Sequence, residues 1–181
     1  MQAEVDALFA AAREALGTVH VVINNAGLGG TANLMDMTDE QWSAVLDVTL
    51  NGTFRMTRAA MRAMRGTGGV IVNNASVLGW RAQKGQSHYA AAKAGVMALT
   101  RCAALEGAEF GIRVNAVAPS LAMHPYLSKV MEPEALDELA AREAYGRSAE
   151  VWEVANVMVF LASGYSSYMT GETVSVSSQR A

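Results

Sequence analysis

Cysteine is nearly absent from this 181-residue chain, and the lone Cys102 excludes an intrachain disulfide. Cys102 lies inside a helical run, so the expectation is a buried, inert thiol. Histidine is scarce too. His20, His88 and His124 are spread along the chain and give no metal-ligand spacing with the cysteine, so no metal site is expected. Charge of either sign is low: 14 basic against 17 acidic residues leave a formal −3, and the basic residues are scattered. That pattern argues against nucleic acid or an anionic membrane surface as a partner. No apolar run reaches transmembrane length, and the N-terminus, with Glu4 and Asp6 in a helical pattern, lacks the basic and apolar regions of a signal peptide. A cytoplasmic, soluble protein is expected.

What is present suits one compact core. Apolar residues make up 51% of the chain, enough for a single domain over residues 1–181, and no repeat or linker marks a second. Met1 to Leu16 reads as a helix, with Val5, Leu8, Phe9 and Ala12 at helical spacing. Val19 to Asn24 is a β-branched run of the kind buried on both faces of a sheet. Asp39 to Arg65 reads as one long helix, capped by Thr38 and Gln41, with Trp42, Val45, Leu46, Thr49, Thr53, Met56, Ala60 and Met64 near one stripe. Strands follow at Val70 to Asn74 and Ile112 to Ala118, separated by a helix from Ser87 to Phe110 that Gly111 ends in the left-handed conformation. Helical content resumes from Glu134 towards Tyr145 and again from Ala149 to Ala162, before a last strand at Glu172 to Val176. The alternation predicts a doubly wound α/β fold, a parallel sheet with helices on both faces.

The most informative residues are Tyr89 and Lys93, four apart on one helical face, with Ser76 a strand end and a loop earlier. An ammonium so placed is expected to favour the ionised phenol and lower its pKa, which would fit Tyr89 for general acid–base work. Ser76 has no G-x-S-x-G elbow around it and no following His and acid in a hydrolase pattern, so a nucleophilic serine is disfavoured. Asn51 is a misfit inside its predicted helix, since its side chain competes for backbone groups.

Five segments lie in register with one family: Asn24-Asn25-Ala26-Gly27, Leu50-Asn51-Gly52-Thr53-Phe54, Val70 to Ser76, Tyr89-x-x-x-Lys93 and Val114 to Pro119. In order and spacing they resemble the short-chain dehydrogenase/reductase family in its 3-oxoacyl-reductase-like form. The resemblance implies a Rossmann-like fold and a hydride transfer between NAD or NADP and a secondary alcohol or ketone. It implies the tetrad Asn51, Ser76, Tyr89 and Lys93. Tyr89 would exchange the proton, Ser76 would hydrogen-bond the carbonyl oxygen, Lys93 would tune Tyr89 and hold the nicotinamide ribose, and Asn51 would kink its helix and hold a water in a proton relay.

The same resemblance assigns the cofactor to Asn25, Ala26, Gly27, Tyr89, Lys93, Pro119, Ser120 and His124. Gly27 permits close approach of a ligand at the carboxyl edge of the sheet. Asn24 is open between a ligand-side role and a brace between strands. Two departures stand out: Ser120 replaces the usual glycine, and His124 stands where a threonine commonly contacts the carboxamide. His124 is either a substitute donor or a surface loop residue. Large side chains at Leu78, Trp80, Met123, Tyr126 and Met131 are candidates for a pocket suited to a bulky or hydrophobic substrate, such as a CoA thioester or a polycyclic compound, or else they pack the core.

The Gly-rich turn that holds the pyrophosphate in this fold is missing ahead of these segments. Relative to the family pattern, roughly 60–80 residues are expected to be absent at the front, about two βα units and a strand. Val19 to Asn24 would then be an exposed apolar edge. A homodimer or homotetramer is expected, through the helices at 39–65 and 87–110 and the last strand. The alternative to an enzyme is a cofactor-incompetent remnant that only oligomerises.

Overall fold

In this computed structural model, residues 2–124, 127 and 132–178 are described. The chain runs α1 (Gln2–Leu16), β1 (Val21–Asn24), α2 (Asp39–Leu46), a π-helical turn (Asp47–Asn51), α3 (Gly52–Met64) and β2 (Gly69–Asn74). It continues through α4 (Ser87–Ala108), β3 (Ile112–Pro119), β4 (Ala122–Met123), α5 (Pro133–Arg142), β5 (Ala149–Glu150), α6 (Val151–Ala162) and β6 (Thr173–Val176). Four strands form one parallel sheet in the order β1-β2-β3-β6. Ile23 pairs with Val72, Val72 with Asn115, and Pro119 with Val176. The expected doubly wound, Rossmann-like α/β architecture is present.

Alternation along the strands divides the core between two layers. Ile71 and Val114 face one side and pack with Phe9 of α1, Ala60 and Met64 of α3, and Ala104 of α4. Val72 and Val117 face the other side, against Val154, Met158 and Leu161 of α6. A third cluster of small residues, Ala75, Val96, Ala116 and Ala118 among them, lets α4 approach the carboxyl end of the sheet. On β1, Val21 and Ile23 are 44% and 43% exposed, since among the described residues β1 is the edge strand of the sheet.

Local signals explain several boundaries. Thr38 accepts from the Gln41 amide while the Gln41 side chain accepts from the Thr38 amide, closing the expected capping box. Gly111 ends the turn after α4 with φ +67°, which a side chain would resist. Arg113 binds the far end of the molecule together: its guanidinium donates to the carbonyls of Leu161, Ser163, Ser166 and Met169, capping the C-terminus of α6.

The differences from expectation are also physical. The helix expected unbroken from Asp39 to Arg65 contains the π-helical turn, which rotates the following residues. Val45, Thr49, Thr53, Ala60 and Met64 are buried as the stripe requires, whereas Trp42 is 36% exposed. Ala149 and Glu150 are not helical but pair in parallel with Ala122 and Met123. Cys102 is exposed, not buried: Thr100, Ala103 and Ala104 take the inward face of α4, and Cys102 falls on the other. Among the described residues no group of His, Cys, Asp and Glu could hold a metal, and no helix is long and apolar enough to cross a membrane.

Candidate active site

The carboxyl ends of β1, β2 and β3 converge beside the N-terminus of α4, and that junction gathers the polar residues of interest. β1 delivers Asn24 to Gly27, β2 delivers Asn73 to Ser76, and the first turns of α4 deliver Tyr89 and Lys93. A buried chain of hydrogen bonds fixes the strand ends. Asn24 donates to Asn73 Oδ1 at 2.9 Å and to Thr57 Oγ1 at 3.2 Å, and Asn73 donates to Thr100 Oγ1 at 2.9 Å. Asn24 therefore braces β1 against β2 and α3, although its own Oδ1 is buried without a partner. Farther out, Asn74 donates to Asn25 Oδ1 at 2.8 Å.

Ser76 follows β2 in extended backbone, is buried, and caps the short 3-10 turn Val77–Gly79 by accepting from the Leu78 amide. Its side chain also stands close enough to the Tyr89 phenol to favour the ionised form. Lys93 is buried, and its ammonium donates to the Asn74 carbonyl at 2.6 Å. That same ammonium faces the Tyr89 ring, 5.5 Å from the centroid.

The electrostatics differ from expectation. Burial pushes the Tyr89 pKa above its ordinary value, and Ser76 opposes this only in part. The expected lowering by Lys93 is not found, because the ammonium meets the ring face and the Asn74 carbonyl. Lys93 itself is lowered by burial to about 8. At neutral pH the phenol holds its proton.

Asn51 does not join this group. Its side chain is exposed at the end of the π-helical turn and donates to Asp47 Oδ1 at 3.2 Å. Thr49, two residues earlier, is the one aimed inward: its hydroxyl accepts from the Leu28 amide at 2.9 Å and donates to the Leu28 carbonyl at 3.0 Å. A methyl group on Gly27 would stand 3.5 Å from Lys93 Nζ and 3.7 Å from Thr49 Oγ1. Sequence reasoning placed Thr49 in the core stripe and overlooked its hydroxyl. It also overlooked the Asn74 carbonyl, which no side-chain pattern announces.

Of the other expected residues, Asn25 and Ala26 follow β1 at the carboxyl edge, Gly27 lies beside Lys93, and Pro119 ends β3. Ser120 donates its amide to the Val176 carbonyl at 3.1 Å. Leu78 is half-buried and Trp80 is 53% exposed just after Ser76, while Met123 lies on β4 and His124 is exposed beyond it. Tyr126 and Met131 lie outside the described residues. The hollow lined by Phe9, Arg13, Ala59 and Arg62 lies between α1 and α3, and that lined by Thr18, Val19 and Thr67 lies ahead of β1 and β2; Tyr89 lines neither.

The buried Lys93 ammonium has three donors, and one of them meets Asn74. Two remain for hydroxyls of a bound sugar at the edge where open α/β sheets take their ligands, which fits the ribose of a nicotinamide nucleotide. A Rossmann-like sheet carrying Ser76, Tyr89 and Lys93 at its carboxyl edge defines an oxidoreductase architecture.

The comparisons agree. A family model described as Enoyl-(Acyl carrier protein) reductase matches residues 1–178. The chain is 62% identical over 179 residues to the (5R,7aS)-5-hydroxy-7a-methyl-1-oxo-2,3,5,6,7,7a-hexahydro-1H-indene-carboxyl-CoA reductase of Mycobacterium tuberculosis, covering 98% of this chain and 68% of that protein. It is 41% identical over 161 residues to an acetoacetyl-CoA reductase of Rhizobium meliloti, covering 88% of this chain and 67% of the relative. The crystal structure of a short chain dehydrogenase from Mycobacterium smegmatis superposes with a TM-score of 0.85 at 58% identity, covering 100% of this chain and 68% of that one. This chain belongs to the short-chain dehydrogenase/reductase family of oxidoreductases. It spans about two thirds of the length of these relatives.

Proposed function

We propose that this chain is an NAD(P)-dependent reductase of a ketone carried on a bulky, apolar acyl-CoA thioester, with Tyr89 as the general acid. The observation that carries this reading is the gathering of Ser76, Tyr89 and Lys93 at the carboxyl edge of the sheet, with the Lys93 ammonium facing the Tyr89 ring. When bound, the reduced nicotinamide supplies the hydride. The chain's own residues manage the oxygen. Ser76 turns its hydroxyl proton towards the carbonyl oxygen, where negative charge grows in the transition state. Tyr89, kept protonated by burial, gives its phenolic proton to that oxygen as the carbonyl carbon receives the hydride, leaving an alcohol. Lys93 would hold the ribose with its two remaining donors, and its ammonium faces the Tyr89 ring. The protonated resting phenol favours reduction over oxidation.

Asn25, Ala26, Gly27, Pro119, Ser120 and His124 are the further contacts proposed for the cofactor, and Leu78, Trp80, Met123 and Tyr126 those for the substrate. Asn51 enters through the helix irregularity that it ends and not through its side chain. The CoA thioester class is supported by the names of the two relatives, both reductases of CoA esters, and by the large apolar side chains after Ser76. We place the protein in the cytoplasm, as a single domain, and as a homodimer or homotetramer.

The test is turnover. The unaltered chain should oxidise NADH or NADPH when acetoacetyl-CoA or a bicyclic keto-acyl-CoA is added, with Tyr89→Phe slower by about 10²–10⁴-fold. Equal rates in the variant, or no oxidation with either nucleotide, would contradict the proposal.

A further inference from the structure

The loop after β1 crosses the site as bare backbone. Gly27 lies against Lys93. A methyl on Gly29 would touch the Tyr89 ring at 3.7 Å, and one on Gly30 would stand 3.4 Å from His88 Nε2. The loop is tied down at both ends by side chains from other elements. At the near end, the buried Thr49 hydroxyl satisfies both the amide and the carbonyl of Leu28. At the far end, Gln86 Nε2 donates to the Gly30 carbonyl at 2.8 Å and to Thr31 Oγ1 at 3.2 Å, and the Ala32 amide donates to the Gly85 carbonyl at 3.0 Å.

A backbone stretch of this kind, rich in glycine, has little rigidity of its own. We propose that Thr49 and Gln86 are positioning residues that clamp the loop over Tyr89 and Lys93, keeping water off the pair. The catalytic consequence rests on the reading of Tyr89 as the acid, but the clamp itself does not. Its physical signature is the buried state of Lys93, which faces the Tyr89 phenol ring, the Asn74 carbonyl and the Gly27–Thr49 contact. If the loop lifts, water reaches the ammonium and its titration moves up from about 8 towards the ordinary 10.5.

The experiment compares the unaltered chain with Thr49→Val, Thr49→Ser and Gln86→Glu, without cofactor or substrate. Valine keeps the shape of threonine and loses the hydroxyl, serine keeps the hydroxyl, and glutamate keeps the length of Gln86 and loses its donor. Amide hydrogen exchange is read at Leu28 and Ala32, and the Lys93 ammonium is titrated by NMR with labelled lysine. Thr49→Val is expected to speed exchange at Leu28 about tenfold, the loss of one buried hydrogen bond, and to raise the Lys93 titration. Thr49→Ser is expected to match the unaltered chain, and Gln86→Glu to speed exchange at Ala32. Unchanged exchange and titration in Thr49→Val, or equal damage from Thr49→Ser, would overturn the proposal. Should Thr49→Val unfold, the Gln86→Glu change at a half-buried position decides: protection lost at Ala32 supports the clamp, and protection kept overturns it. A chain without turnover would sink the proposed function while leaving every one of these readouts in place.

Discussion

Tyr89 and Lys93 are legible in the sequence as an i, i+4 pair, but their electrostatics are not. Spacing says that the two share a helical face, and it is silent on the Asn74 carbonyl that takes the ammonium at 2.6 Å. Burial thus sets both pKa values, with Tyr89 raised and Lys93 lowered to about 8. Because the unfolded chain keeps the Lys93 proton up to 10.5, burial of the ammonium opposes folding below about 8 and is relieved as pH rises from there. Stability of the unaltered chain should therefore gain on Lys93→Met as pH climbs above 8 in urea titrations, and a constant gap would contradict a buried ammonium. Tyr89 acts in the opposite sense at higher pH, since its raised pKa makes folding lose stability once pH passes the ordinary 10.0. Cys102 illustrates the limit of periodicity: helical spacing placed it in a helix, but only packing decides which face α4 turns inward. Its exposure predicts prompt labelling of the folded protein by a thiol reagent, and a thiol that reacts only after denaturation would refute it.

Elements were legible wherever a local signal existed. The capping box at Thr38 and Gln41 and the left-handed Gly111 both stand where the sequence puts them. The π-helical turn at Asp47–Asn51 carries no comparable local mark; within it Thr49 points inward and Asn51 stays exposed. The β4–β5 bridge escaped for a different reason, being two residues long on each side and held by contacts distant in sequence. Arg113 is another long-range device, reaching from β3 to four carbonyls around the end of α6. Arg113→Met should lower stability by about 2–3 kcal/mol in chemical denaturation, since charged donors to carbonyls are lost together. A change within experimental error would show that α6 needs no such cap. At the start of the same helix, the Arg147–Glu153 pair holds Glu153 at about 2, so its contribution is present above 4.5 and fades as pH falls towards 2. Arg147→Ala should flatten that acid limb in chemical denaturation between pH 4.5 and 2, and an unchanged limb would show that the pair does not hold Glu153 down.

At the scale of the whole molecule, the alternation of strands and helices was sufficient for the parallel sheet, because strands buried on two faces read as continuous β-branched runs. The sheet's edge is its weak place. β1 presents Val21 and Ile23 to solvent beside unpaired backbone, which is a template for association with another strand. Ile23→Lys should leave the fold intact and reduce concentration-dependent light scattering; scattering that is unchanged would place self-association on another surface. Such surfaces exist, since Trp152, Val159 and Phe160 of α6 are also largely exposed. The carboxyl edge of the same sheet gathers the chemistry, and hydride transfer there is the claim on which the proposed function depends. The measurement that tests it most directly supplies NADH or NADPH deuterated at the transferable position together with a keto-acyl-CoA, and weighs the alcohol formed. One deuterium on the carbinol carbon, formed at least about a hundredfold faster by the unaltered chain than by Tyr89→Phe, is the predicted result. An alcohol without deuterium, or label transferred equally well without the Tyr89 hydroxyl, would contradict it.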